Sequence, residues 1–158
     1  MVKVLFVCLG NICRSPLAEA VFRDMVKKEG IEDRFHIDSA GIGGWHEGKR
    51  PHSGTLQILE EKQISSEGIF ARQIRKEDLK NFDYIVAMDS ENLADIEEIE
   101  KDQGATAKIF RLLDLVPERK DKDIPDPYYT GNFDYVYTLV QEGCRALLEQ
   151  IKKDEEWN

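Results

Sequence analysis

Short apolar runs alternate along the chain with longer stretches in which apolar residues recur every three or four positions. Residues 2–8 read V-K-V-L-F-V-C, a nearly continuous β-branched and aromatic run of the kind needed by a strand covered on both faces. Similar runs at residues 35–40, 82–88 and 107–112 predict three more strands. Between the first two, Leu17, Ala20, Val21 and Met25 fall on one helical face that closes at Gly30, with Ser15 as N-cap and Pro16 as the first helical residue. Residues 51–62 predict a second helix with Leu56, Ile58 and Leu59 inward, and Asp89-Ser90 caps a third that runs to about residue 101. After Gly131-Asn132 a long last helix places Val136, Leu139, Val140, Cys144, Leu147 and Ile151 on one side. Strand and helix alternate throughout, so the expected fold is α/β: three layers, an open parallel sheet with helices on both faces, forming one domain over residues 1–158. Ligands of such sheets sit beyond the carboxyl ends of the strands, where Cys8 and Asp89 fall.

Composition narrows the partners. With 158 residues, 41% hydrophobic and 34% charged, the chain is large enough for a real core, and no apolar run has the length of a membrane span. A net charge of −9 disfavours nucleic acid and anionic lipid, and means that an anionic substrate must be caught by a local positive feature. Lys3, the first apolar run and Ala18-Glu19-Ala20 formally fit a secretory signal. Gly10 and Asn11 interrupt that run and Arg14 follows it, so a cytoplasmic protein is expected. Cys8, Cys13 and Cys144 make no disulfide framework, and with His36, His46 and His52 they show no zinc-ligand spacing.

The chemistry gathers in Cys8-Leu9-Gly10-Asn11-Ile12-Cys13-Arg14-Ser15-Pro16, between a strand and a helix. Three Cys and nine Arg among 158 residues make a bare Cys-x5-Arg a chance event in roughly one chain in six, so the context has to carry the reading. Cys8 faces a helix N-terminus, whose unpaired N–H groups and partial positive charge favour a thiolate nucleophile; Arg14 adds a full charge, and the Ser15 hydroxyl is placed to donate to the sulfur. The same loop amides, from Leu9 to Cys13, and the Arg14 fork suit the equatorial oxygens of a phosphoryl group. Gly10 allows close approach of the backbone, and Asn11 tolerates a left-handed conformation. The leaving group of a phosphate ester needs a proton. Asp126, set between Pro125 and Pro127 and followed by Tyr128 and Tyr129, is the best donor, although Asp is equally common in solvated turns and the residues alone leave both readings open.

V-C-L-G-N-I-C-R-S-P at residues 7–16, D-S-A-G at 38–41 and D-P-Y-Y at 126–129 together resemble the low-molecular-weight protein tyrosine phosphatases, of the bacterial type, over essentially the whole chain. The resemblance implies a flavodoxin-like four-stranded parallel sheet, a phosphocysteine intermediate at Cys8, phosphate binding by Arg14 and the loop amides, and Asp126 as acid and then base. It places Asn11 and Ser39 in a hydrogen-bond network that holds the loop, assigns Ser15 to the thiolate, and puts Trp45, Tyr128 and Tyr129 at the pocket rim. It implies no cofactor and no metal, and a phosphotyrosine-bearing protein or small aryl phosphate as substrate; a monomer is expected. Two departures stand out. Some relatives carry a His shortly before the A-R-Q segment, where this chain has Ile69, so that contact to the loop is expected to be missing. Ile12, after the loop Asn, resembles the tyrosine-specific branch; Thr there goes with protein-arginine phosphatases.

Cys13 reads either as filling beneath the loop or as a redox partner for Cys8, and the resemblance favours the second. Cys144 reads as core; His46, next to Trp45, reads as a surface-loop residue before one that touches substrate; Asp89 and Asn92 read as helix capping, and the acidic runs at 97–100 and 154–156 as solvated faces. An arsenate reductase on this loop would need further relay cysteines in the middle of the chain. A module that merely binds phosphotyrosine would have no use for both Cys8 and Asp126.

Overall fold

The computed structural model describes residues 1–157. Four strands, β1 (Val2–Cys8), β2 (Phe35–Gly41), β3 (Tyr84–Ala87) and β4 (Lys108–Arg111), form one sheet in the order β2-β1-β3-β4. Each neighbouring pair is parallel. The helices are α1 (Arg14–Lys28), α2 (Ser53–Glu61), α3 (Asp78–Asn81), α4 (Ser90–Gln103), α5 (Pro127–Thr130) and α6 (Phe133–Asp154).

The apolar run of β1, interrupted only by the exposed Lys3 near its start, is explained by its position. Val2, Val4, Phe6 and Cys8 pack into one core with Leu17, Phe22 and Val26 of α1 and Val140, Cys144 and Leu147 of α6. Leu5 and Val7 point into a second core with Leu79 of α3, Ile85 of β3 and Ile96 of α4. Side chains alternate across a strand, so a central strand covered on both faces has no polar side to show. The chain leaves β1 first toward β2 and later toward β3, which puts the switch point of the sheet at the carboxyl end of β1, at Cys8.

Local differences from the sequence pattern have physical causes. α1 begins at Arg14 rather than after Ser15, and its N-cap Cys13 makes no side-chain cap bond, because the Ser15 hydroxyl is turned to Cys8 and Asn11 instead. Pro16 still sits in the first turn, where its missing N–H costs nothing. In α2 it is Thr55, Ile58 and Leu59 that are buried, while Leu56 is half-buried: the helix starts at Ser53 with His52 as its cap, and positions one turn apart share the inner face. The single-turn helices α3 and α5 are too short to show a period. β3 and β4 are shorter than their apolar runs; Phe82 ends α3, and Leu112 opens a 3-10 turn.

Candidate active site

The loop from Cys8 to Arg14 is held by its carbonyls. Ile42 N donates to Cys8 O at 2.9 Å, Gly43 N to Leu9 O at 2.9 Å and His52 N to Ile12 O at 2.8 Å. Thr55 Oγ1 donates to Cys13 O at 3.1 Å. The backbone N–H groups of residues 9–15, by contrast, have no acceptor among the described residues. Carbonyls taken and amides free is the polarity of an anion-binding nest, and it runs into the first turn of α1, which carries no acidic residue. Asn11 takes the left-handed conformation expected of it, with φ +57°. Gly41 of the D-S-A-G segment is required by packing: a Cβ there would lie 2.9 Å from Gly10 C and 3.0 Å from Asn11 N.

Beneath the loop runs a chain of hydrogen bonds whose direction can be worked out. Asn11 Oδ1 accepts from Arg72 N at 2.9 Å, which fixes the amide. Its Nδ2 then donates both hydrogens, to Ser15 Oγ at 2.7 Å and Ser39 Oγ at 3.0 Å. Ser39 donates its hydroxyl hydrogen to Glu19 Oε1 at 2.6 Å. Ser15, already an acceptor, has its hydrogen left for Cys8 Sγ, 3.0 Å away. The whole chain is buried: Ser15 and Ser39 are 0% exposed and Asn11 is 2%. Arg72, which fixes the amide, is itself gripped by Asp38 and by both oxygens of Asp78. Ile69 is an apolar core residue, so the segment reaches the loop through the Arg72 backbone rather than a His side chain.

Arg14 is 2% exposed. Nη1 donates to Asp89 Oδ2 at 2.6 Å and Ile124 O at 2.8 Å, and Nη2 lies 3.4 Å from Asp126 Oδ2. Burial works against its charge, but the neighbouring Cys8, Asp89 and Asp126 outweigh it and hold the guanidinium above its ordinary range. Nε is buried with no partner among the described residues, an expensive state unless a ligand oxygen takes it. Asp89 does cap α4, Oδ1 accepting from Asn92 N at 2.8 Å, but its other oxygen orients Arg14. That second role was not legible in the capping pattern.

Above the loop lies a cleft of about 350 Å3. Cys8, Leu9, Gly10, Ile12 and Cys13 form its loop side, and Trp45, His46, Tyr128 and Tyr129 its walls, with Asp126 among them. Tyr128 and Tyr129 meet edge to face at 5.1 Å, and both are more than half exposed, as is Trp45. His46 is not a plain surface residue: its ring packs over Gly10, where a Cβ would come within 3.2 Å of Cδ2. His52 also serves the site. Its Nδ1 accepts from Gly54 N to cap α2, its N–H holds Ile12 O, and its ring meets Tyr128 edge-on at 5.9 Å. A Pro-His-Ser-Gly start to a helix was its only sequence signal. Asp126 caps α5 through Oδ1, which accepts from Tyr128 N at 3.1 Å, so its place is set by both flanking prolines and the cap.

Two buried groups have altered proton affinities. Burial, reinforced by the negative Asp126 and Cys8, pushes the Cys13 thiol up to about 12, so it is a thiol at neutral pH. Burial alone pushes the Cys144 thiol up, in line with a core position under Ala18. Glu19 was not singled out by the sequence, although a Glu between Ala18 and Ala20 on a buried face is unusual. Burial pushes its carboxyl up to about 7, with Asp38 adding to the shift and Ser39, Arg23 and Arg72 opposing it. A group whose folded-state pKa is raised contributes stability below its unfolded value and loses it as pH rises through the folded one. Stability should therefore fall by about 3 kcal/mol between about pH 5 and pH 8 on account of Glu19, and Glu19→Gln should remove that slope. Urea denaturation of both proteins at the two pH values measures it; parallel pH dependence would place the ionisation elsewhere.

The comparisons with known proteins point to one family. The family model described as "Low molecular weight phosphotyrosine protein phosphatase" matches residues 3–157. The chain is 52% identical over 156 residues to the low molecular weight protein-tyrosine-phosphatase YfkJ of Bacillus subtilis, covering 99% of each. It is 43% identical over 154 residues to PtpA of Staphylococcus epidermidis, covering 98% of this chain and 96% of that one. The crystal structure of YfkJ superposes with a TM-score of 0.94 over 98% of this chain and 96% of its own. A Drosophila arginine phosphatase, DARP, at 35% identity, superposes with a TM-score of 0.89 over 95% and 98%. With three motifs, a parallel sheet in the order 2-1-3-4 and a full-length match in agreement, the chain belongs to the low molecular weight phosphotyrosine protein phosphatases.

Proposed function

We propose that this phosphatase hydrolyses phosphotyrosine through a phosphocysteine at Cys8. The thiolate attacks phosphorus while the P–O bond to the phenol breaks, and Asp126 gives its proton to the departing oxygen. In the second step the Asp126 carboxylate takes a proton from water. That water attacks phosphorus, the P–S bond breaks, and inorganic phosphate and the Cys8 thiolate result. Arg14 and the amides of residues 9–15 carry the charge on the equatorial oxygens. The observation that carries this reading is the buried Arg14 Nε beside a loop of unpaired amides, with Cys8 and Asp126 on the same cleft.

Trp45, Tyr128 and Tyr129 serve as walls for a flat ring, and Ile12 supports the choice of phosphotyrosine over phosphoarginine, since an apolar side chain offers nothing to a guanidinium N–H. The likeness to DARP is the observation that favours the second reading, an arginine phosphatase. Hydrolysis of matched phosphotyrosine and phosphoarginine peptides separates them. A kcat/KM at least about tenfold higher for phosphotyrosine is expected, and the opposite order would transfer the assignment to phosphoarginine. Arsenate reduction is disfavoured because Cys144 is fully buried under α1 and has no route to the cleft.

The protein acts in this reading as one domain over residues 1–158, monomeric, since one chain supplies every wall of the cleft, and cytoplasmic; no described helix is long and apolar enough to cross a membrane. Cys13 is its redox guard: peroxide converts Cys8 to a sulfenic acid, and Cys13 displaces water from it to form a disulfide that thiols reverse.

A further inference from the structure

The hydrogen-bond chain beneath Cys8 ends on a carboxylate that neither chemical step uses. Glu19 lies on α1, 5% exposed, and accepts the Ser39 hydroxyl. The charged groups that bear on it are Arg23 on the same helix, Asp38 on β2 and Arg72 from the segment before α3. Arg72 is occupied by Asp38 and Asp78, and Arg23 donates to Ser65 O at 3.1 Å. Among the described residues no cation lies within ion-pair distance of Glu19. We propose that Glu19 is a positioning residue for the phosphatase reaction: its ionised form anchors the Ser39–Asn11–Ser15 chain so that Ser15 donates to the Cys8 sulfur. The proposal rests on Cys8 being the nucleophile.

The direction of the chain follows from donor count. Ionised Glu19 can only accept, so Ser39 must donate to it, and a charge-assisted bond holds that direction. Arg72 N fixes the Asn11 amide, so Asn11 gives one hydrogen to Ser39 and one to Ser15, and Ser15 spends its own on Cys8. Protonation of Glu19 adds a donor to the far end of a chain already full of donors. The Ser39 bond becomes a neutral, weaker one, so Ser39, and with it Asn11 and Ser15, is held less tightly beneath Cys8. The step that suffers is hydrolysis of the phosphocysteine, in which charge returns to sulfur and the Ser15 hydrogen bond is worth most. Burial sets the change near neutral pH.

The test is kcat for p-nitrophenyl phosphate across the pH range for the protein and its Glu19→Gln variant. Gln keeps an acceptor oxygen for Ser39 without the charge, and so mimics the protonated carboxyl. The wild-type rate should exceed that of the variant by about fivefold near pH 8, with the ratio shrinking toward unity near pH 5.5 and KM changing by less than about twofold. A ratio that is constant across pH would mean a merely structural role and would overturn the proposal. Ser39→Ala cuts the chain one link further in; adding Glu19→Gln to it should have no pH-dependent effect, and a persisting effect would overturn the route. Should Glu19→Gln fail to fold, the carboxyl carbon of Glu19 followed by NMR in the wild-type protein decides: a midpoint near 7 supports the proposal and one below about 5 overturns it. Absence of wild-type turnover at pH 8 would instead sink the phosphatase reading, and this proposal with it.

Discussion

Cys8→Ser is expected to abolish turnover of p-nitrophenyl phosphate and of phosphotyrosine peptides, with kcat reduced by at least about 10,000-fold, while inorganic phosphate still binds. The two halves of the result come from different groups. Arg14, with its unpaired Nε, and the free amides of residues 9–15 hold the anion, and the substitution leaves them in place. Attack on phosphorus needs an ionised nucleophile. The features that favour a thiolate are too weak to ionise a serine hydroxyl, which holds its proton far more tightly. Ser15 would also find a neutral oxygen in place of sulfur and has no charge to stabilise. The replacement is small and Cys8 is 3% exposed on a strand end, so the fold should survive. Phosphate binding by calorimetry together with steady-state rates checks both halves. Appreciable turnover by the variant would remove Cys8 from the nucleophile's role.

What the sequence revealed and what it hid divide along the range of the interactions. The strand run before Cys8 and the helical face after it are local patterns, and they place the loop correctly without any knowledge of tertiary contacts. The roles of Asn11 and Ser39 came through resemblance, since a contact between residues 28 positions apart leaves no local trace. Asp89 looked like a cap because it is one; only the fold brings its second oxygen to Arg14, 75 positions away. Glu19 and Arg72 escaped for the same reason, and so did the packing of His46 over Gly10. Ser15 shows the converse. A local rule made it the N-cap of α1, but a polar network buried under the loop claims its hydroxyl, and the helix start is left uncapped for an anion. Local rules fail here at the site itself, where side chains serve chemistry before they serve the nearest backbone.

Asp126→Asn is expected to lower kcat for phosphotyrosine by about 100- to 1,000-fold, with a smaller loss for p-nitrophenyl phosphate. A tyrosine phenol, with a pKa of about 10, leaves poorly as the bare anion, whereas p-nitrophenolate is stable enough to leave without a proton. Rates plotted against leaving-group pKa should therefore fall much more steeply in the variant. Asn is the informative replacement. It preserves the cap on Tyr128 N, since Asn is as good an N-cap as Asp, and so keeps α5 and the two tyrosines in place. What it removes is the proton and the charge. The long contact between Arg14 Nη2 and Asp126 Oδ2, 3.4 Å, shows that Asp126 is not what holds Arg14, a task done at 2.6 Å by Asp89. Loss of rate in the variant then reports on proton transfer rather than on a misplaced guanidinium. Loss of the base also slows the second step, so a rapid first turnover of p-nitrophenyl phosphate followed by slow release of phosphate should appear in stopped-flow traces. An unchanged leaving-group dependence would move the acid to another residue of the cleft, and His46 is the next candidate within it.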